Sequence, residues 1–142
     1  MKETGDLSLL TVDDIEKIKS YAIGRKAVII AIYVFGSAAT GKDRPGSDID
    51  LAVMVAASAF SGMARVEMET ALSNLLYRDV DLVVFGRTTT LLQHQILKYG
   101  RLIYEAAPRE RILQEVGARR HYLDTTFLYK KMKMRGNDAY GG

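Results

Sequence analysis

Several residue types that carry chemistry in other proteins are missing or scarce in this chain. It has no cysteine, no tryptophan, two prolines and two histidines among 142 residues. Without cysteine, disulfide bonds, thiolate catalysis and cysteine metal sites are excluded, which suits a reducing cytosol. The longest strongly apolar run, residues 27–35, is too short to span a bilayer as a helix, and the charged start shows no secretory signal. We therefore expect a cytoplasmic protein that does not contact membranes.

Length and charge also limit the possibilities. A chain of this size is expected to form one domain, over residues 1–135. Residues 136–142 have nothing to bury, which predicts a disordered tail. The net charge of +3 suits a nucleotide or an acidic partner, and this mild excess does not favour direct nucleic-acid binding.

The order of apolar segments predicts an α/β fold, a small mixed β-sheet with flanking helices. Three apolar, β-branched segments predict strands at 28–35, 49–55 and 80–85, and a short strand or extended link follows at 101–104. Helical spacing predicts helices at 11–24, 58–77, 90–100 and from Pro108 onward. Thr11 is expected to cap the first helix, and Thr90 to begin a capping box for the third.

The loop between the first two strands has the residue types of a nucleotide and metal site. Gly36 ends an apolar strand and allows the backbone to turn close to a ligand, and Ser37 adds a hydroxyl. Asp48 and Asp50 lie two residues apart, so on a strand they share a face, with Cα atoms about 6–7 Å apart. Two carboxylates this close repel each other, and a divalent cation removes the conflict. This pattern predicts a phosphate site facing a metal site.

The same residues carry a resemblance to a known family. A Gly-Ser turn followed after ten residues by Asp-Ile-Asp resembles the signature of the DNA polymerase beta-like nucleotidyltransferase superfamily. The small size resembles its minimal nucleotidyltransferase (MNT) branch. This resemblance implies a third carboxylate on a later strand, where Asp79 and Asp81 are the candidates. We favour Asp81, because it lies deeper in the apolar segment, where a charge needs a partner.

The resemblance implies a Mg²⁺-dependent enzyme that moves AMP from ATP to a hydroxyl. Two Mg²⁺ ions are expected on the catalytic carboxylates Asp48, Asp50 and Asp81, with ATP held by Gly36, Ser37, Lys42 and Arg44. At Thr40 the chain departs from the family, which often has Arg there. This difference predicts a weaker hold on the triphosphate, which Lys42 and Arg44 would offset.

The resemblance also implies a protein partner. MNT proteins resemble antitoxins encoded beside HEPN-domain toxins, so the expected acceptor is a hydroxyl, a tyrosine in particular, of a HEPN toxin in a type VII-like toxin–antitoxin pair. Two alternatives stay open. One is an antitoxin that acts by binding alone, and the other is an adenylyltransferase for a small molecule or an RNA end.

Overall fold

In the described part of the chain, five α-helices, one 3₁₀ turn and four strands are present. The computed structural model describes residues 10–42, 47–56 and 60–141, with side chains up to residue 135. In chain order the elements are α1 (Val12–Ile23), β1 (Ile29–Phe35), α2 (Ser37–Thr40), β2 (Ile49–Val55), α3 (Gly62–Leu76), β3 (Val80–Val84), a 3₁₀ turn (Phe85–Arg87), α4 (Thr90–Tyr99), β4 (Arg101–Glu105) and α5 (Pro108–Gly141).

The four strands form one mixed sheet in the order β3-β2-β1-β4. β1 pairs antiparallel with both β2 and β4, whereas β2 and β3 are parallel. The predicted α/β fold with a small mixed sheet is therefore confirmed. The segment 101–104, for which the sequence left two possibilities, forms the edge strand β4.

Helices cover both faces of the sheet. On one face, Ile18 of α1 and Leu72 of α3 pack against β1 and β2 in the larger core cluster. On the other face, Ile96 of α4 and Ala118 of α5 pack against Tyr33. β1 and β2 are almost entirely buried because both of their faces are covered, which explains their continuous apolar sequences.

The helix ends agree with the sequence in part. The side chain of Thr11 accepts a hydrogen bond from the Asp14 N–H, and Asp14 accepts one from Thr11 in return, a complete capping box. The capping box predicted at Thr90 is wrong, because Thr89 caps α4 by accepting from the Leu92 N–H. α3 begins at Gly62, four residues later than predicted, because the Ser61 hydroxyl caps it by accepting from the Ala64 N–H.

The final helix is longer than the sequence suggests. α5 begins at Pro108 as predicted and runs to Gly141, so the structure has helical backbone where the composition predicts a disordered tail. No proline follows Pro108, so nothing in the sequence removes a backbone donor from this helix. The division into a domain over 1–135 and a separate tail stays a prediction. Across the described residues, none of the helices has the length and hydropathy needed to cross a membrane.

Candidate active site

The chain turns sharply at Gly36, where β1 ends. Gly36 has φ +68° and ψ −151°, a conformation that glycine adopts readily and other residues adopt at a cost. A Cβ at this position would overlap Oδ2 of Asp50. Glycine is therefore required twice here, once for the backbone angle and once for the space beside the carboxylate.

The sheet brings two of the predicted catalytic carboxylates together. Asp50 on β2 is the register partner of Asp81 on the parallel strand β3, and on its other side it pairs with Phe35, the last residue of β1. Ala52, two residues after Asp50, packs in the cluster with α4 and α5. Because strand residues two apart share a face, both carboxylates project from the face that α4 and α5 cover. Asp48 lies just before β2 and is exposed.

The electrostatics of Asp50 follow from this arrangement. Burial raises the pKa of the Asp50 carboxyl above its ordinary value, and the charges of Asp81 and then Asp48 raise it further. Each of the three effects disfavours the charged carboxylate. Among the described residues, the fold therefore holds a half-buried carboxylate beside two others, and no side-chain cation offsets the rise in its pKa.

The donor set fits a magnesium ion that also binds a nucleotide. Carboxylate oxygens are the ligands that Mg²⁺ prefers, and this ion is usually held by one or two carboxylates together with substrate phosphates. In the described part of the chain, no group of three or more His, Cys, Asp or Glu side chains is arranged to hold a metal ion by itself. Asp50 and Asp81 form a pair across β2 and β3. To hold Mg²⁺, this pair would need further oxygen ligands, such as those of the substrate phosphates.

Side chains from α3 hold the strand that carries Asp81. Glu69 accepts a hydrogen bond from the Leu82 N–H at 2.9 Å, and the Ser73 hydroxyl accepts one from the Val80 N–H at 2.9 Å. Arg65 donates to the Leu82 carbonyl at 3.0 Å and pairs with Glu69 at 3.1 Å. The amides on either side of Asp81 are therefore tied to α3. The sequence shows these three residues only as a polar helix face, and their role appears once this face lies along the sheet edge.

A second set of contacts fixes the segment that carries Asp48. Arg78 donates from Nε and Nη2 to the Ser47 carbonyl, at 3.2 and 2.6 Å. The Ile49 N–H donates to the Asp79 carbonyl at 2.9 Å. The residues on both sides of Asp48 are thus attached to the segment that leads into β3. Arg78 was missed in the sequence because it contacts a residue 31 positions away through the backbone of that residue.

The remaining predicted site residues are placed differently. Thr40, which stands where the family often has Arg, turns its hydroxyl back to the Gly36 and Ser37 carbonyls, at 3.4 Å from each. Lys42 is exposed just after this turn. Arg44 lies outside the described residues. Asp81 is exposed like Asp79, so the expectation that it lies deeper is wrong. What distinguishes the two is register, because Asp81 pairs with Asp50 whereas Asp79 precedes β3.

Comparison with known proteins gives matches in sequence and in structure. The chain is 38% identical over 73 residues to the protein adenylyltransferase MntA of Shewanella oneidensis, and the match covers 51% of this chain and 52% of that protein. The chain thus spans about half the length of the curated relative it matches.

Solved structures match more of the chain. A chain of a toxin–antitoxin complex with AMP-PNP superposes with a TM-score of 0.67 at 27% identity, covering 87% of this chain and 98% of that one. A chain of the tri-AMPylated Shewanella oneidensis HEPN toxin in complex with MNT antitoxin gives a TM-score of 0.65 at 25% identity, covering 89% and 96%. The sequence-based resemblance is thereby confirmed.

The family model described as polymerase beta, nucleotidyltransferase matches residues 16–109, from the second turn of α1 to the start of α5. This segment is well over half of the chain and contains the Gly-Ser turn and all three carboxylates. The chain therefore belongs to the polymerase beta nucleotidyltransferase family.

Proposed function

We propose that this protein is an antitoxin that transfers AMP from ATP to a hydroxyl of a HEPN toxin. The observation that carries the proposal is the pairing of Asp50 with Asp81 beside the Gly36 turn. Family membership supplies the reaction class, nucleotidyl transfer. The similarity to a protein adenylyltransferase and to toxin–antitoxin complexes supplies the nucleotide and the partner.

The residues have distinct parts in this reaction. Gly36 and Ser37 leave room for the triphosphate at the end of β1, and Lys42 and Arg44 neutralise part of its charge. Asp48 and Asp50 face the reacting phosphate, and Asp81 faces the acceptor. The acceptor oxygen forms a bond to the α-phosphorus, the bond to the leaving oxygen breaks, and pyrophosphate departs. The acceptor proton leaves with solvent or a nearby base.

Asp48, Asp50 and Asp81 would hold Mg²⁺. When bound, Mg²⁺ would stabilise the charge on the attacking and leaving oxygens. The raised pKa of Asp50 supports this assignment, because a carboxylate that neighbouring charges destabilise gains most from a bound cation. The contacts of Glu69 and Ser73 to β3 keep Asp81 in place opposite Asp50.

A tyrosine hydroxyl of the toxin is the acceptor that we propose. An adenylyl group adds bulk and negative charge at the modified residue. On a toxin that cleaves RNA, this charge would repel the phosphate backbone and block its access.

Replacement of Asp81 tests the assignment of the third carboxylate. Asp81→Asn should lower AMP transfer by on the order of 10³-fold, because it removes one carboxylate of the pair and the metal stabilisation that depends on it. Asp79→Asn is the matched control, since it lies two residues away, is exposed like Asp81 but is not the register partner of Asp50, and should reduce transfer only a few-fold, by roughly 2–5-fold. The measurement is incorporation of labelled AMP into the partner in the presence of Mg²⁺.

Two results would contradict the proposal at different points. Reversed phenotypes of the two variants would show that Asp79 is the third carboxylate. The second result is that the wild type transfers no AMP, and that it and both variants inhibit the toxin equally well. The protein would then act by binding alone. The Thr40 hydroxyl, which donates to the Gly36 and Ser37 carbonyls at the position where the family often has Arg, agrees with that second outcome.

A further inference from the structure

The outer face of α5 carries a regular apolar pattern that is exposed to solvent. Its five apolar members are spaced so that they align along one side of the helix: Leu113, Val116, Leu123, Phe127 and Met134. Together with Arg120 and Lys130 they follow the alternating three- and four-residue spacing typical of a helix that packs along another helix. We call these seven residues the α5 seam. Its apolar side chains are 44–67% exposed.

The seam is turned away from the sheet, although Leu123 also borders a pocket against His94 and Leu97 of α4. The residues by which α5 packs on the sheet are Glu115 and Ala118, which are buried. At about 100° per residue, Glu115 and Ala118 lie roughly 100° and 160° around the helix from the centre of the seam. Large apolar side chains along one helix side normally pack against another surface, and a continuous exposed row of them indicates an interaction site.

The seam lies on the face of the sheet from which Asp50 and Asp81 project, but outside the segment that the family model matches. α5 packs on the face from which Asp50 and Asp81 project, since Glu115 contacts Tyr33 on that face. The family model ends at residue 109, before the first seam residue. A protein held on this helix would therefore be on the side where the acceptor hydroxyl must approach.

The charge around the seam indicates what kind of surface binds there. Residues 119–135 contain six Lys or Arg residues and one acidic residue, Asp124. Parallel pairing of two copies would place Arg120 against Arg120 and Lys130 against Lys130, which is unfavourable in a helix pair. A helix with an apolar stripe and flanking Asp or Glu residues matches both the shape and the charge.

We propose that the α5 seam is the docking surface for an acidic, apolar-striped helix of the partner that receives AMP. This inference rests on the proposed function for the identity of the partner. Apolar contacts along the seam supply affinity, and the surrounding basic residues select an acidic partner over a second copy of this chain.

Binding to the purified HEPN toxin proposed as the partner tests the proposal. The double variant Leu123→Glu/Phe127→Glu should raise the Kd at least about tenfold, because it places two charges in the centre of the apolar contact. The matched control is Leu128→Glu/Met132→Glu, which changes two exposed apolar residues of the same helix outside the seam and should alter the Kd by less than about twofold. Isothermal titration calorimetry at low and high salt measures both, and wild-type binding should weaken as salt rises.

The outcomes separate the docking surface from the catalytic proposal. Equal affinities of the two double variants, with unchanged circular dichroism and Tm, would overturn the seam as the docking surface. A wild-type chain that sediments alone as a dimer, and becomes monomeric with Leu123→Glu/Phe127→Glu, would assign the seam to a second copy and also overturn it. Asp50→Asn should bind the toxin with wild-type affinity and transfer no AMP. Loss of transfer with unchanged affinity would therefore reflect a defect in the reaction and not in docking.

Discussion

At the scale of single residues, Asp50 is placed where a carboxylate is unfavourable. It is half-buried, it lies opposite Asp81, and Asp48 adds a third negative charge. The fold tolerates this because hydrogen bonds from α3 and Arg78 hold the two strand ends in register. Such a residue is expected to lower the stability of the free protein and to be needed for binding a cation.

Replacing Asp50 should therefore stabilise the protein in a pH-dependent way. A carboxyl whose pKa is raised in the folded state binds its proton more tightly there than in the unfolded state. The free-energy cost of its negative charge is therefore complete above the raised pKa and vanishes below the unfolded value of 3.8. In the absence of divalent metal, Asp50→Asn should raise the Tm at neutral pH, and the gain should disappear below pH 3.8. Thermal unfolding from pH 3 to 8 measures this.

The control for this measurement is Asp124→Asn, which removes a negative charge from an exposed position on α5. It should not reproduce the gain. A Tm for Asp50→Asn that equals or falls below the wild-type value at neutral pH would show that the carboxylate is not destabilised by its neighbours.

The sequence predicts some of these residues and not others, for a physical reason. Gly36, Asp48 and Asp50 are recognisable because the chemistry needs these residue types at short, fixed spacing. Asp81 is recognisable as a charge in an apolar strand. Arg78, Glu69 and Ser73 act through backbone groups of distant residues, so no local pattern identifies them.

At the scale of elements, helices and strands follow the apolar pattern closely. β2 has the predicted bounds, because the apolar run at 51–55 directly after Asp-Ile-Asp leaves little choice. The helix starts at Ser61 and Thr89 differ from prediction because neighbouring Ser and Thr residues offer equivalent caps, and tertiary packing selects among them. The path of α5 across the sheet could not be predicted, since it depends on side chains far apart in sequence.

The attachment of α5 depends on one buried charge. Glu115 accepts hydrogen bonds from the Tyr33 hydroxyl on β1, from Arg111 at 2.7 Å and from Arg119 at 3.4 Å. Arg111 also pairs with Glu105 at the end of β4. Burial, and next the hydrogen bond to Glu115, raise the pKa of Tyr33, so the hydroxyl stays protonated and donates. These contacts fix the helix that carries the seam.

Removing this charge should loosen α5. Glu115→Ala should lower the free energy of unfolding by about 3 kcal/mol, because it leaves buried partners of the network without their acceptor. Glu110→Ala, at an exposed position one turn earlier on the same helix, is the control and should change it by less than about 0.5 kcal/mol. Urea denaturation followed by circular dichroism measures both, and equal losses would contradict the role of Glu115.

At the scale of the whole molecule, the fold places the carboxylates and α5 on the same side of the sheet. Asp50 and Asp81 project from the face on which α4 and α5 pack. The sequence predicts the mixed sheet but not this arrangement, because strand order and the covering of each face depend on the connections between elements. A chain with a small transferase fold and an exposed seam is suited to a reaction in which the acceptor is brought by another protein.

The most direct test of the proposed function is the intact mass of the HEPN toxin proposed as the partner after incubation with this protein, ATP and Mg²⁺. We predict a gain of one or more AMP units with the wild type, and a rate lower by on the order of 10³-fold with Asp48→Asn, which removes an exposed carboxylate that we propose binds Mg²⁺. An unchanged mass, in a mixture where the two proteins form a complex and the toxin is inhibited, would contradict adenylyl transfer as the function.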